Sequence, residues 1–349
     1  MKVALIHYRL INRGGLENRL KNYSSWLIEN GHEVDIICAK YDTDVDIPLA
    51  ANIKCLPINW MPKQIKKWVF SRKVAKYLKA HSYDLSLSLG RTNGQEIVLA
   101  PSNHLGYMVA HQQKSKKLKD KIQIILDANS YHQSKLILAA SEMIKQELID
   151  LYWIKEDKIK VLPPPINKDY FPNLKNQQAA LKAKWKLSAS KKSFLFVSTG
   201  HKNKGLALLN KLFAKLPSDE YELGIVGYPA VKPKYNNIKY IGYIKDPKAL
   251  NELYAAADYT IHPSTYDAFG QIITESLYSG TPVIISKNVG AKEIVKKEYG
   301  TIVDNFEINT WLDVLKNIDQ EAFEIPENID DFLQLNLNNH MEVILNQKF

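Results

Sequence analysis

Asp267 and Glu275 stand eight positions apart, with a Phe269-Gly270 step between them, in the stretch Asp267-Ala268-Phe269-Gly270-Gln271-Ile272-Ile273-Thr274-Glu275. A strand-like apolar run, Tyr259 to His262, precedes this stretch, and an apolar helical pattern follows it. The spacing predicts the first carboxylate in a loop and the second about two turns into a helix. The helix N-terminus between them offers free backbone N–H groups and a partial positive charge, which suit a phosphate. Carboxylates accept hydrogen bonds from sugar hydroxyls. Acceptors at both ends and an anion site in the middle fit a nucleotide diphosphate sugar.

Three further loops have the chemistry to take part. Asn12-Arg13-Gly14-Gly15-Leu16 follows the first apolar run, and its two glycines let backbone approach a phosphate at a helix N-terminus. A tight turn explains them equally well, and they do not form a dinucleotide fingerprint. Ser198 to Gly205 holds Lys202 and Lys204 in the matching position of the second half, where lysines can neutralise a diphosphate as it departs. Ala100 to Gly106 carries Asn103 and His104, and a histidine there can bond a sugar hydroxyl. Asp42-Thr43-Asp44-Val45-Asp46 contains a D-x-D pattern, but a solvated acidic turn accounts for it. His and Cys show no zinc spacing.

These loops need elements to hold them. Strand-length apolar runs alternate with amphipathic helical patterns from end to end, which predicts an α/β protein with parallel sheets. The expected strands of the first half are Val3–Tyr8, Val34–Cys38, Leu85–Leu89, Ile97–Ala100, Leu136–Ala140 and Ile159–Leu162. Leu16, Leu20, Tyr23 and Leu27 share one helix face, which Gly31 closes. Pro163-Pro164-Pro165 breaks regular structure. The pattern restarts at Phe194–Thr199, then Leu223–Val226, Tyr240–Ile244, Tyr259–His262, Val283–Ser286 and Thr301–Val303. This gives domains at 1–168 and 169–328, with a helical tail at 329–349.

The chain has 349 residues, 45% hydrophobic and 24% charged, so two domains with ample cores are expected. No apolar run reaches membrane-spanning length. The N-terminal apolar stretch is too short for a leader and suits a buried first strand. Cys38 and Cys55 match no redox or metal spacing, which points to a reduced, cytoplasmic setting. The formal net charge of +10 favours an anionic partner. Charge concentrates at 63–79, around Trp68, Val69, Phe70 and Tyr77, and at 114–121. Either is a solvated face or a surface resting on anionic lipid with its aromatics at the interface. No nucleic-acid motif accompanies the charge.

Taken together, Gly14-Gly15, Lys204-Gly205, Leu253 to Asp258 running into His262-Pro263-Ser264, Asp267 to Gly270, Glu275, and Ser279-Gly280-Thr281-Pro282-Val283 resemble glycosyltransferase family 4, retaining enzymes of the GT-B fold. The likeness is most specific between residues 239 and 300. It is strongest to the lipopolysaccharide core glucosyltransferase type, through Gly14-Gly15-Leu16, Leu162-Pro163-Pro164 and the basic segment after residue 107. The resemblance implies two Rossmann-like domains facing across a cleft, with the C-terminal helix returning to the first.

It also implies roles. Glu275 holds the ribose hydroxyls and Asp267 the sugar hydroxyls. Backbone at Phe269, Gly270, Gln271 and Ile272 meets sugar and phosphate. Lys204 binds the diphosphate with Gly15 and Gly14, Tyr243 backbone meets the base, and His104 or Asn103 lies near the transferred sugar. The family has Glu at the position of Asp267, and an arginine shortly before the lysine, for which Lys202 is the expected substitute.

The expectation is a retaining hexosyltransferase that takes its sugar from a nucleotide diphosphate sugar, UDP favoured, and needs neither metal nor other cofactor. The acceptor is a hydroxyl of a glycolipid or lipopolysaccharide-type molecule at the cytoplasmic face of the inner membrane, and no nucleic acid is involved. Lys204, Asp267 and His104 carry the chemistry. A UDP-sugar 2-epimerase on the same fold and a non-catalytic sugar-nucleotide or membrane-surface binding protein are the rivals.

Overall fold

The computed structural model describes every residue except 12–13, 43–44, 46, 59–60, 114–116, 202, 231, 321–322 and 348–349. Lys202 and the D-x-D carboxylates Asp44 and Asp46 therefore lie outside the described residues. The chain divides into two compact units, Met1–Pro163 with His340–Phe349, and Pro164–Asn339. The division falls at the first proline pair, ahead of residue 168, and only the last ten positions of the tail join the first unit.

In chain order the first unit runs β1 (Lys2–Ile6), β2 (Arg9–Leu10), α1 (Gly15–Glu29), β3 (Glu33–Cys38), β4 (Lys40–Tyr41), β5 (Asn52–Cys55), α2 (Lys66–Ala80), β6 (Leu85–Ser88), β7 (Ile97–Ala100), α3 (His104–Ala110), α4 (Leu118–Gln133), β8 (Leu136–Ala139), α5 (Glu142–Tyr152) and β9 (Ile159–Val161). Seven strands form one parallel sheet in the order β5-β3-β1-β6-β7-β8-β9. Its central strands are buried along nearly their whole length, as helices on both faces require. β2 and β4 pair separately.

The second unit contains α6 (Gln178–Lys184), β10 (Lys192–Ser198), α7 (Leu206–Phe213), β11 (Tyr221–Gly227), β12 (Ile238–Gly242), α8 (Pro247–Ala256), β13 (Tyr259–His262), α9 (Gln271–Tyr278), β14 (Val283–Ser286), β15 (Gly300–Val303), α10 (Ile308–Asn317) and α11 (Asp330–Leu333). Its parallel sheet has the order β12-β11-β10-β13-β14-β15. Phe194, Phe196, Phe213 and the fully buried Trp311 centre its core. α12 (Leu337–Leu345) is the last element of the described chain. Its His340 accepts or donates a buried hydrogen bond with the Tyr23 hydroxyl of α1. Burial, then the nearby Arg19, lowers the His340 pKa to about 3, so the imidazole is neutral there.

Each strand expected from the apolar runs is present, with ends within two residues of those expected. Besides the two-residue β2 and β4, the addition is β5, an edge strand whose residues are half-buried or exposed, so it shows no apolar run. In the basic stretch at 63–79 the aromatics make contacts of their own. Phe70 is buried against Tyr8, Trp68 lies under the Arg72 guanidinium at 3.7 Å, and Tyr77 stacks on His81. Those rings pack on their own unit, because α2 must bury one face on the sheet.

Candidate functional site

In the second sheet the chain winds one way through β11 and β12 and the other way through β13, β14 and β15. β10 and β13 are therefore the neighbours at which the winding reverses, the place where open α/β sheets bind ligands. The loops leaving both strands are fastened together there. The Thr265 N–H donates to the Asn203 carbonyl at 3.1 Å, and the Ser264 hydroxyl donates to the same oxygen at 3.0 Å. Gly205 has φ +92°, and a Cβ on it would strike the Pro263 carbonyl, so glycine is what lets the two loops touch.

This fastening brings Lys204 to Asp267. The Lys204 Nζ lies 2.6 Å from Asp267 Oδ2, and the His262 Nε2 lies 2.9 Å from the same oxygen. Burial alone would raise the Asp267 pKa, but the hydrogen bond and charge of His262, then Lys204, hold it down to about 2. The carboxylate is thus ionised at any working pH, with its second oxygen available to a hydroxyl. Gly270, at φ +88°, then opens α9, and the Gln271 and Ile272 N–H groups have no partner within the described residues. A cation, an ionised carboxylate and a bare helix N-terminus meet within one loop system.

Glu275 is the fifth residue of α9, closer to its start than the expected two turns. Its Oε2 accepts from the Tyr254 hydroxyl at 2.8 Å. Burial raises its pKa to about 7, against the opposing pull of that hydrogen bond. Phe269 is buried, and its carbonyl accepts from the Ala291 N–H at 2.7 Å, which fixes the loop. Tyr243 lies just past β12, with its side chain mostly exposed.

Gly14, Gly15 and His104 belong to the first unit. Gly14 caps α1 and Gly15 begins it. His104 opens α3. Its backbone N–H donates to Asp127 Oδ2 at 2.8 Å, and its Nε2 lies 3.2 Å from Asp120. Asn103 caps that helix by accepting from the Gly106 N–H at 2.6 Å, and its amide nitrogen donates to Glu147. Both ends of the Asn103 amide are thus engaged, and the His104 ring is itself held by Asp120.

A cavity of about 960 Å³ in the second unit opens at the opposite, amino-terminal ends of β10 and β13. Its Lys182 and Lys192 are already paired with Asp258 at 2.8 Å and Asp319 at 2.5 Å. The Lys204–Asp267 pair and the bare N-terminus of α9 lie at the carboxyl ends. Sequence reasoning missed three groups there and in the first unit: His262, Tyr254 and the Arg91–Asp127 pair. His262 stands in the His-Pro-Ser step after a strand, a signal that was visible. Tyr254 looks like any helix aromatic until α9 is set beside it.

Two α/β units, each with a parallel sheet and a winding reversal, define a protein built of two Rossmann-like domains. The family described as Glycosyltransferase Family 4 matches residues 13–170, and that described as Glycosyl transferases group 1 matches residues 177–329. The chain belongs to these glycosyltransferases, and its fold is GT-B. A probable transglycosylase of Burkholderia thailandensis is 26% identical over 296 residues, 84% of this chain and 80% of that one. The lipopolysaccharide glucosyltransferase WaaG of Escherichia coli is 22% identical over 321 residues, 87% of this chain and 85% of its own. The crystal structure of WaaG matches with a TM-score of 0.81 at 19% identity, covering 99% of this chain and 100% of that one. Anabaena HepE in complex with UDP-glucose matches at 0.72 and 16% identity, covering 99% and 98%. Among the described residues no helix is long and apolar enough to cross a membrane.

Proposed function

We propose that this glycosyltransferase is a retaining hexosyltransferase that uses a nucleotide diphosphate sugar, UDP favoured, and a hydroxyl of a glycolipid or lipopolysaccharide-type acceptor. The observation that carries the reading is the Lys204–Asp267 contact of 2.6 Å beside the partner-free N–H groups of α9. Asp267 accepts the sugar hydroxyls, Glu275 those of the ribose, and backbone past Gly270 meets the phosphates, with Tyr243 backbone at the base. Lys204 and the helix N-terminus stabilise charge on the departing diphosphate. That oxygen takes the acceptor proton on the same face, so no protein nucleophile is assigned. His104, Gly14 and Gly15 contribute from the first unit. Lysine and helix ends supply positive charge that a metal supplies elsewhere, so turnover should survive chelation. WaaG, by name a lipopolysaccharide glucosyltransferase, and HepE, with UDP-glucose, support the acceptor and donor classes.

The test is a thermal-shift and hydrolysis panel of UDP-glucose, UDP-galactose, UDP-N-acetylglucosamine and GDP-mannose, with and without EDTA. One UDP-sugar should stabilise the fold and be slowly hydrolysed in both conditions. Loss of turnover with EDTA would refute the metal-independent reading. Stabilisation without turnover, even with glycolipid acceptors present, would favour a binding protein.

The first unit also presents a surface suited to an anionic membrane. Val109, Leu118 and Ile125 are each more than half exposed, and Lys117, Lys119 and Lys121 flank them. Leu118 and Ile125 stand seven apart on α4, hence on one face. Binding to vesicles should require anionic lipid, weaken as salt rises, and fall in Leu118→Ser/Ile125→Ser. Equal sedimentation with neutral vesicles would exclude this surface as the anchor.

A further inference from the structure

The first sheet has its own winding reversal, between β1 and β6. A cavity of about 570 Å³ opens there, lined by the loops after those strands, the start of α1, and α2. Three cations line it: Arg9, Lys67 and Arg91. Arg91 is held from behind. Its Nε donates to the fully buried Asp127, which also accepts from the Tyr152 hydroxyl at 2.9 Å and from the His104 N–H. Both oxygens of Asp127 are thereby engaged, and the two terminal nitrogens of Arg91 have no partner among the described residues. Glu17 occupies one wall, 3.5 Å from the His7 Nε2 and 3.9 Å from Arg9. Lys67 is exposed and makes no hydrogen bond or ion pair with any described residue; desolvation and then the Arg91 charge lower its pKa, with Asp127 opposing and Arg9 adding to the shift. Three cations against two carboxylates leave one positive charge unmatched at a ligand-binding position of the fold.

We propose that this cavity takes a phosphate group carried by the acceptor, with the Arg91 fork and the Lys67 ammonium as its ligands and Asp127 as the residue that positions Arg91. The planar guanidinium presents two parallel donors to two phosphate oxygens, and the ammonium meets the third. The proposal rests on the transferase reading for the word acceptor. Gly15, which the donor reading also uses, lines this cavity, whereas the Lys204 loop and α9 belong to the other unit.

The test is calorimetric titration of the full chain with a hexose 6-phosphate, the unphosphorylated hexose, inorganic phosphate and a short-chain phosphatidic acid. Each is repeated on Lys67→Gln, Arg91→Gln and Lys204→Met. A phosphorylated ligand should bind at least about tenfold more tightly than the plain hexose, and Lys67→Gln and Arg91→Gln should each lose about tenfold of that affinity. Lys204→Met should leave it unchanged while losing nucleotide-sugar binding. Preference for the sugar ester or for the phosphatidic acid supports the site and tells which carrier it reads. Arg91→Gln leaves Asp127 buried without its cation and risks the fold. Lys67→Gln breaks no contact, so it decides the matter. Equal binding of plain and phosphorylated hexose, indifference to Lys67→Gln, or loss with Lys204→Met instead would overturn the proposal. If phosphate esters bind here and no nucleotide sugar binds anywhere, the transferase reading fails while this site stands.

Discussion

Lys204→Met is expected to slow sugar transfer by about a hundredfold or more, with little change in thermal stability. The stability half follows from the contacts. Lys204 is about a third exposed and makes its ion pair with Asp267, which keeps the His262 bond at 2.9 Å when the lysine is gone. A partly exposed ion pair contributes at most about 1 kcal/mol. The rate half follows from where charge develops. As the bond to the sugar breaks, the diphosphate gains negative charge, and Lys204 is the only side-chain cation of the described loop that is aimed at Asp267. The α9 N–H groups remain, so the loss is large and incomplete. Without donor, Asp267 holds the ammonium in place, which removes the entropy of ordering a long side chain when the donor arrives. Lys204→Arg should recover part of the rate, since it restores charge with a wider head group. Initial rates for all three proteins, with kcat and KM separated, give the answer. A loss below about threefold in kcat/KM would remove Lys204 from the chemistry.

Much of this site was legible before any coordinates, for an identifiable reason. Parallel strands buried on both faces appear as continuous apolar runs, so the strands before Lys204 and Asp267 stood out, and the loops after them inherited their position. The Asp267 to Glu275 spacing then needed only the helix period. What stayed hidden depends on neighbours distant in sequence. Nothing local to Arg91 or Asp127 says that they pair, because the contact spans two loops and a helix. The edge strand Asn52–Cys55 lacks an apolar run because water covers half of it. The lysines around Phe70 mask the helical period that places it with Val74 on the buried face of α2.

Glu275→Gln is expected to stabilise the protein at alkaline pH while weakening donor binding about ten- to a hundredfold. The carboxyl of Glu275 has a folded pKa of about 7, above its unfolded value of 4.5, because burial disfavours the charge. The neutral form is therefore favoured by folding. Its contribution is complete below pH 4.5 and is lost as pH rises through 7, so above that the wild type carries a buried charge that costs on the order of 3 kcal/mol. Glutamine keeps an oxygen for the Tyr254 hydroxyl and carries no charge. The unfolding temperatures of the two proteins should converge near pH 4.5 and separate by several degrees at pH 8, the variant being higher. Donor affinity should move the other way. Ribose hydroxyls bond more strongly to a carboxylate than to an amide, so wild-type affinity should climb between pH 6 and 8 and the variant's should stay flat. A costly charge retained in an otherwise uncharged helix is the mark of a group kept for a ligand. Parallel stability curves for the two proteins, or unchanged nucleotide affinity in the variant, would return Glu275 to the role of a plain partner for Tyr254.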